Sequence, residues 1–158
     1  LKERGFPIEL KIAGVDRKNA GYAEQLSSLV QEKGLTELVH FLGFHSSPES
    51  LLRESDFMIL PSTTEGLPLS ILEAQASKSL VIANPIAGIP EVITDGVTGF
   101  LVEHTDIKGY ADTIERLIRD PEQWESIVSR AYKNIQENYT WRDYVKRIEA
   151  IYNESLGC

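Results

Sequence analysis

The chain has 158 residues, 42% of them hydrophobic and 25% charged, which is the composition of a globular domain with its own core. The formal net charge of −8 argues against nonspecific binding to nucleic acid or anionic lipid, because both need a basic surface. The only cysteine is the last residue, Cys158, which excludes an internal disulfide or a cysteine-based zinc site, and we expect a cytoplasmic location.

Short apolar runs, which suit buried strands, alternate with longer amphipathic runs, which suit helices. In chain order, the predicted strands cover residues 8–14, 39–43, 57–60, 80–83 and 100–102. The helices predicted between them cover residues 20–33, 48–54, 68–77 and 90–94. We therefore predict an α/β fold over residues 8–105, a Rossmann-like parallel sheet with helices on both faces.

Three successive helices are predicted after the sheet, over residues 107–119, 121–138 and 140–156. The second and third helices each carry an apolar stripe at helical spacing, one starting at Trp124 and the other at Trp141. We predict that both stripes pack in the core. Residues 1–158 are thus predicted to form a single domain, with residues 106–156 as its C-terminal helices.

Two glutamates flank the start of one predicted helix. Glu65 follows the strand at 57–60 in a loop with glycine and proline, and Glu73 is predicted to lie about two turns into the helix. Ligands of open parallel sheets bind at the carboxyl ends of the strands, and a helix start offers free N–H groups to an anion. An anionic ligand with polar arms, such as a sugar nucleotide, would suit this place. Judged by spacing alone, a Glu65 that caps the helix and a solvated Glu73 explain the pattern equally well.

Six short segments follow one another in a fixed order along the chain. They are Leu60-Pro61-Ser62, Glu65-Gly66-Leu67-Pro68, Glu73-Ala74, Val81-Ile82-Ala83, Gly88-Ile89-Pro90-Glu91 and Asp95-Gly96-Val97-Thr98-Gly99-Phe100-Leu101-Val102. With this set the chain resembles, from about residue 8 to residue 156, the C-terminal, nucleotide-sugar-binding domain of retaining GT-B glycosyltransferases of family 4, the group 1 type. The resemblance implies that the first strand–helix unit of that domain and an N-terminal acceptor domain lie outside this chain. The upstream unit normally holds the Arg and Lys that grip the diphosphate, so we expect this chain alone to be inactive.

The resemblance implies a role for each residue around the two glutamates. Glu65 is implied as the catalytic residue that contacts hydroxyls of the donor sugar. Glu73 is implied to accept hydrogen bonds from the ribose. Contacts of the loop and the helix start with the sugar and the diphosphate are implied for Gly66, Leu67, Pro68 and Leu69.

Further residues match the nucleotide-binding loops of that family. Gly14 would let the first loop approach the diphosphate, and Phe44 and His45 lie where the family holds the base. The donor expected by default is a UDP-sugar, with no cofactor and no metal, since three separated histidines offer no ligand set. For Arg17 and Lys18, a solvated basic loop is a better explanation than a contact with phosphate.

Two alternatives to a sugar transferase stay open. One is a noncatalytic nucleotide-binding or interaction module, since a fold alone does not define a function. The other is a glycoside hydrolase that uses Glu65 and Glu73 as a carboxylate pair, although the carboxylates of glycosidases face one bond from two sides. Failure of the complete protein to bind any nucleotide would favour a noncatalytic interaction module, and release of free sugar from a glycoside would favour the hydrolase.

Overall fold

Parallel sheets flanked by helices make up the fold, which confirms the predicted α/β class. The computed structural model describes residues 1–14 and 20–156. Packing divides the chain into two units, Leu1–Pro48 and Glu49–Cys158, and each unit has its own sheet. The organisation of residues 1–158 as one domain stays a prediction.

The first unit is built on two parallel strands joined through a helix. Its elements are a 3-10 turn at Lys2–Arg4, strand β1 at Leu10–Ala13, helix α1 at Ala20–Glu32 and strand β2 at Val39–Gly43. β1 begins later than the predicted strand at 8–14, because its ladder with β2 starts where Leu10 pairs with Val39. After α1 the chain turns at Gly34, whose φ of +61° is a conformation that side chains disfavour.

The second sheet has three parallel strands in the order β3-β4-β5. The elements from this part of the chain are helix α2 at Pro48–Arg53, strand β3 at Phe57–Leu60, helix α3 at Leu69–Ala76, strand β4 at Leu80–Ala83, helix α4 at Ile89–Val92 and strand β5 at Phe100–Leu101. All four residues of the central strand β4 are buried, as its unbroken apolar run predicts.

The core of the second unit is one apolar cluster contributed by α3, β4 and α4 with the residue after it. Its buried members are Ile71, Ala74, Val81, Ala83, Ile89, Val92 and Ile93. Because α3 buries Ile71 and Ala74 completely, packing fixes which face of this helix remains outside.

Within the described residues, three helices follow β5. They are α5 at Ile107–Arg119, α6 at Pro121–Asn138 and α7 at Trp141–Leu156. Asp106 caps α5 by accepting a hydrogen bond from the N–H of Gly109 at 2.8 Å, and Asp120 caps α6 in the same way from Gln123 at 3.0 Å. In the described part of the chain, none of the helices combines the length and the apolar composition that crossing a bilayer requires.

The two predicted apolar stripes differ in outcome. The α6 stripe is in the core, with Ile127 and Ala131 buried and Trp124 stacked on Phe57 at a ring distance of 5.8 Å. The prediction is wrong for most of α7, where Trp141 is 81% exposed and the stripe residues Tyr144, Val145, Ile151 and Tyr152 are exposed by about half or more. Ile148 of the same stripe is half-buried. Helical spacing identifies an apolar face but not the partner that would cover it.

Candidate functional site

Three loops start side by side where the strands of the second sheet end. They cover residues 61–68 after β3, 84–88 after β4 and 102–106 after β5. The sheet's hydrogen bonds continue past the strand ends, from the N–H of Asn84 to Leu60 O at 3.0 Å and from Val102 N–H to Ala83 O at 2.9 Å. The bases of the three loops are therefore held next to one another, at the edge where open parallel sheets bind ligands.

The first of these loops carries both predicted glutamates into one continuous segment with α3. Glu65 is half-buried in the loop and Glu73 is exposed on the helix. Glu73 lies four residues after Leu69, the first helical residue, so it is little more than one turn into α3 and the expected two turns are wrong. Neither carboxylate has a hydrogen bond or an ion pair with another described residue.

The start of α3 is open as well. Its N-cap is Pro68, with an extended ψ of 115°, and no side chain caps the helix. Glu65 is therefore not a helix cap, which contradicts that part of the alternative left open by spacing, whereas the exposed Glu73 agrees with its other part. The first N–H groups of the helix lack side-chain partners and present partial positive charge between the two glutamates. Leu67 and Leu69 are 44% and 66% exposed beside this helix start.

A hydrogen bond from α5 stabilises the start of the third loop. The hydroxyl of Tyr110 donates a hydrogen bond to Val102 O at 2.9 Å. Burial, and then the negative charge of Glu103, raise the pKa of the Tyr110 hydroxyl, so it remains a donor at neutral pH. This bond fixes the chain at the point where β5 ends.

The remaining predicted residues lie at the corresponding edge of the first unit. Gly14 follows β1 and has a φ of +128°. Its N–H donates a hydrogen bond to Gly43 O at 2.7 Å. Phe44, which is 72% exposed, and the half-buried His45 follow β2 directly. The parallel pairing of β1 and β2 thus places all of them at one end of that small sheet.

Two further predictions concern the basic residues Arg17 and Lys18 and the metal site. Arg17 and Lys18 lie outside the described residues. No cluster of three or more His, Cys, Asp or Glu side chains that could hold a metal ion occurs within residues 1–14 and 20–156.

Sequence reasoning missed Asn84, a fully buried amide at the end of β4. The available signal was a polar residue directly after an apolar strand.

Comparison with known proteins agrees with this geometry. The profile of the family "Glycosyl transferases group 1" matches residues 1–134. The N-acetyl-alpha-D-glucosaminyl L-malate synthase of Bacillus anthracis is 36% identical over 128 residues, which cover 81% of this chain and 34% of that relative. The chain therefore spans about a third of the length of this relative.

Solved structures show the same architecture. HepE of Anabaena, solved in complex with UDP, has a TM-score of 0.84 at 25% identity over 95% of this chain and 41% of its own. Its complex with UDP-glucose gives 0.83 at 25% identity over 94% and 40%. The C-terminal domain of LpcC, a group 1 glycosyl transferase of Francisella tularensis, has the same fold, with a TM-score of 0.74 at 23% identity over 89% of this chain and 91% of that domain. With its family profile, its relatives and its fold in agreement, this chain belongs to the glycosyl transferases group 1 family, as a C-terminal GT-B domain.

Proposed function

We propose that this chain is the donor-binding domain of a retaining glycosyltransferase. The complete protein would transfer a sugar from a nucleoside-diphosphate sugar to a glycan, glycolipid or small-molecule acceptor held by an N-terminal domain. The observation that carries the proposal is the segment from β3 to α3, in which two glutamates without a partner among the described residues flank an uncapped helix start. The HepE complexes with UDP and UDP-glucose support UDP as the nucleotide.

Each part of this segment suits one part of a sugar nucleotide. The N–H groups at the start of α3 would bind the diphosphate, because they are donors at the positive end of the helix dipole. Glu73, little more than a turn further along, would accept hydrogen bonds from the ribose hydroxyls. Glu65 in the preceding loop would contact hydroxyls of the donor sugar.

The transfer breaks the bond between the anomeric carbon and the diphosphate oxygen. A bond to the acceptor oxygen forms on the same face of the sugar, and the proton of the acceptor passes to the leaving phosphate. Charge develops in two places, positive on the sugar ring and negative on the leaving group. Glu65 stabilises the first and the helix start the second, so we propose a reaction without a cofactor or a metal ion.

Titration of the complete protein with UDP-, GDP- and ADP-sugars, followed by a transfer assay, tests the proposal. We expect saturable binding of a UDP-sugar and product with retained anomeric configuration by NMR. Binding without transfer to any acceptor would favour a noncatalytic module. Release of free sugar from a glycoside would favour the carboxylate-pair hydrolase. Sugar transfer by residues 1–158 alone would contradict the expected inactivity of this chain.

A further inference from the structure

Asn84 joins the loops that follow the two neighbours of β4. Its side chain is 1% exposed and forms two hydrogen bonds. Its Nδ2 donates to Ser62 O at 2.8 Å, and its Oδ1 accepts from the N–H of His104 at 3.2 Å. A carbonyl needs a donor and an N–H needs an acceptor, so these two partners fix the orientation of the amide. The bonds link the Glu65 loop to the loop after β5 through one buried side chain.

We call the two hydrogen bonds of Asn84 the first tie of the Glu65 loop. A second tie is formed at the far end of the loop after β4. The N–H of Gly88 donates to Gly66 O at 3.0 Å. The two backbones approach so closely that a Cβ at Gly88 would lie 3.1 Å from Gly66 O and 3.4 Å from Leu67 Cβ. The preceding residue, Ala87, has a φ of +48°, which a residue with a side chain rarely adopts. Such strain persists only where surrounding contacts impose it.

The two ties lie on either side of Glu65 along the chain. One holds Ser62 before it and the other holds Gly66 directly after it. Residues 61–68 form neither helix nor strand, so no regular ladder sets the position of the Glu65 carboxylate. Its position depends instead on how the chain is held at both ends of the turn.

We propose that Asn84 is a positioning residue, which holds the loop of Glu65 in the geometry that the transfer requires. The expected effect on turnover rests on the proposed function. The hydrogen bonds of Asn84 to the two loops do not depend on it. Loss of the amide would leave Ser62 O and the N–H of His104 without their buried partner, so the loop of Glu65 would no longer be held at Ser62. A misplaced Glu65 lowers turnover steeply, because a displacement of about 1 Å costs about a hundredfold in rate.

The test compares Asn84→Leu with Gln75→Met in the complete protein. Gln75 is the matched control, because it is also 1% exposed and its Nε2 donates to Thr98 O at 2.8 Å, before β5 rather than after it. Both changes replace a buried amide with an apolar side chain of similar size. Hydrogen exchange of residues 61–68 reports the tie, and kcat with KM for the UDP-sugar reports its consequence.

We expect Asn84→Leu to raise exchange in residues 61–68 and to lower kcat by about tenfold or more. Gln75→Met leaves only Thr98 O without its donor and removes a buried Oε1 that has no partner among the described residues, so its Tm should shift less than that of Asn84→Leu. It should leave loop exchange and kcat within about twofold of the wild type. Unchanged loop exchange in Asn84→Leu would overturn the tie. Faster exchange with unaltered kcat and KM, or an equal loss of kcat in Gln75→Met, would overturn the positioning role.

Gly88→Ala provides a second variant if Asn84→Leu does not fold. The φ of −78° at Gly88 accepts alanine, so the added methyl acts only by pressing on Gly66 O and Leu67. The same rise in exchange and fall in kcat are expected. Their absence would overturn the premise that contacts on both sides of Glu65 set its position, on which the role of Asn84 depends. A wild-type protein that binds no sugar nucleotide would refute the proposed function. Hydrogen exchange of residues 61–68 in Asn84→Leu would then still test whether Asn84 holds this loop. Faster exchange supports that role, and unchanged exchange overturns it.

Discussion

Replacing Glu73 with alanine separates nucleotide binding from stability. The Glu73 side chain is exposed and has no hydrogen bond or ion pair with another described residue, and alanine is the better helix former. The Tm should therefore not fall. A hydrogen bond to a charged acceptor contributes about 1.5–3 kcal/mol. If Glu73 binds the ribose hydroxyls, the Kd for UDP should rise roughly 10- to 150-fold.

Calorimetric titration of the complete protein with UDP measures this loss without the donor sugar. Glu125→Ala, at an exposed glutamate of α6, is the control and should leave the Kd within about twofold. A UDP analogue without the 2′- and 3′-hydroxyls should bind the wild type and Glu73→Ala equally. An unchanged Kd for UDP, or the same loss with the analogue, would refute the ribose contact.

Three further changes have defined outcomes. Glu65→Ala should lower kcat by about a hundredfold or more in steady-state assays while the Kd for UDP changes little, and an equal loss of UDP binding would contradict its catalytic role. Ile71→Ala, at a residue with 0% exposure, should lower the free energy of unfolding by about 2–5 kcal/mol in urea titrations, and a change below about 1 kcal/mol would contradict its place in the core. Tyr110→Phe should cost about 1 kcal/mol at pH 8 by the same method, because Val102 O loses its donor. The pKa of Tyr110 is raised from 10.0 in the fold, so its stabilisation is complete below that pH and is lost as pH rises through the folded value. Tyr110→Phe should therefore flatten the alkaline loss of stability, and an unaltered pH profile would contradict the assignment.

Local signals were enough for several elements. β3, β4, α5 and α6 have the bounds predicted from the sequence. An unbroken apolar run defines β4, whereas Asp106 and Asp120 mark the starts of α5 and α6 through bonds to N–H groups three residues on. Signals of this kind act within a few residues and do not depend on the rest of the fold.

Other expectations failed because they depend on contacts between distant residues. The apolar face of α7 was visible in its spacing, but its exposure was not. The start of β1 at Leu10 is set by its pairing with β2. The depth of Glu73 in α3 follows from the extended conformation of Pro68, which propensity alone does not decide.

The sequence by itself determined that Glu65 and Glu73 lie on one strand–loop–helix segment, since their order and the apolar pattern around them are local properties. Only the tertiary structure decided how that segment is held. Ser62 and His104 are 22 and 20 residues from Asn84, and they meet its side chain because β4 lies between β3 and β5. Strand order is a property of the whole sheet, so no local pattern encodes it.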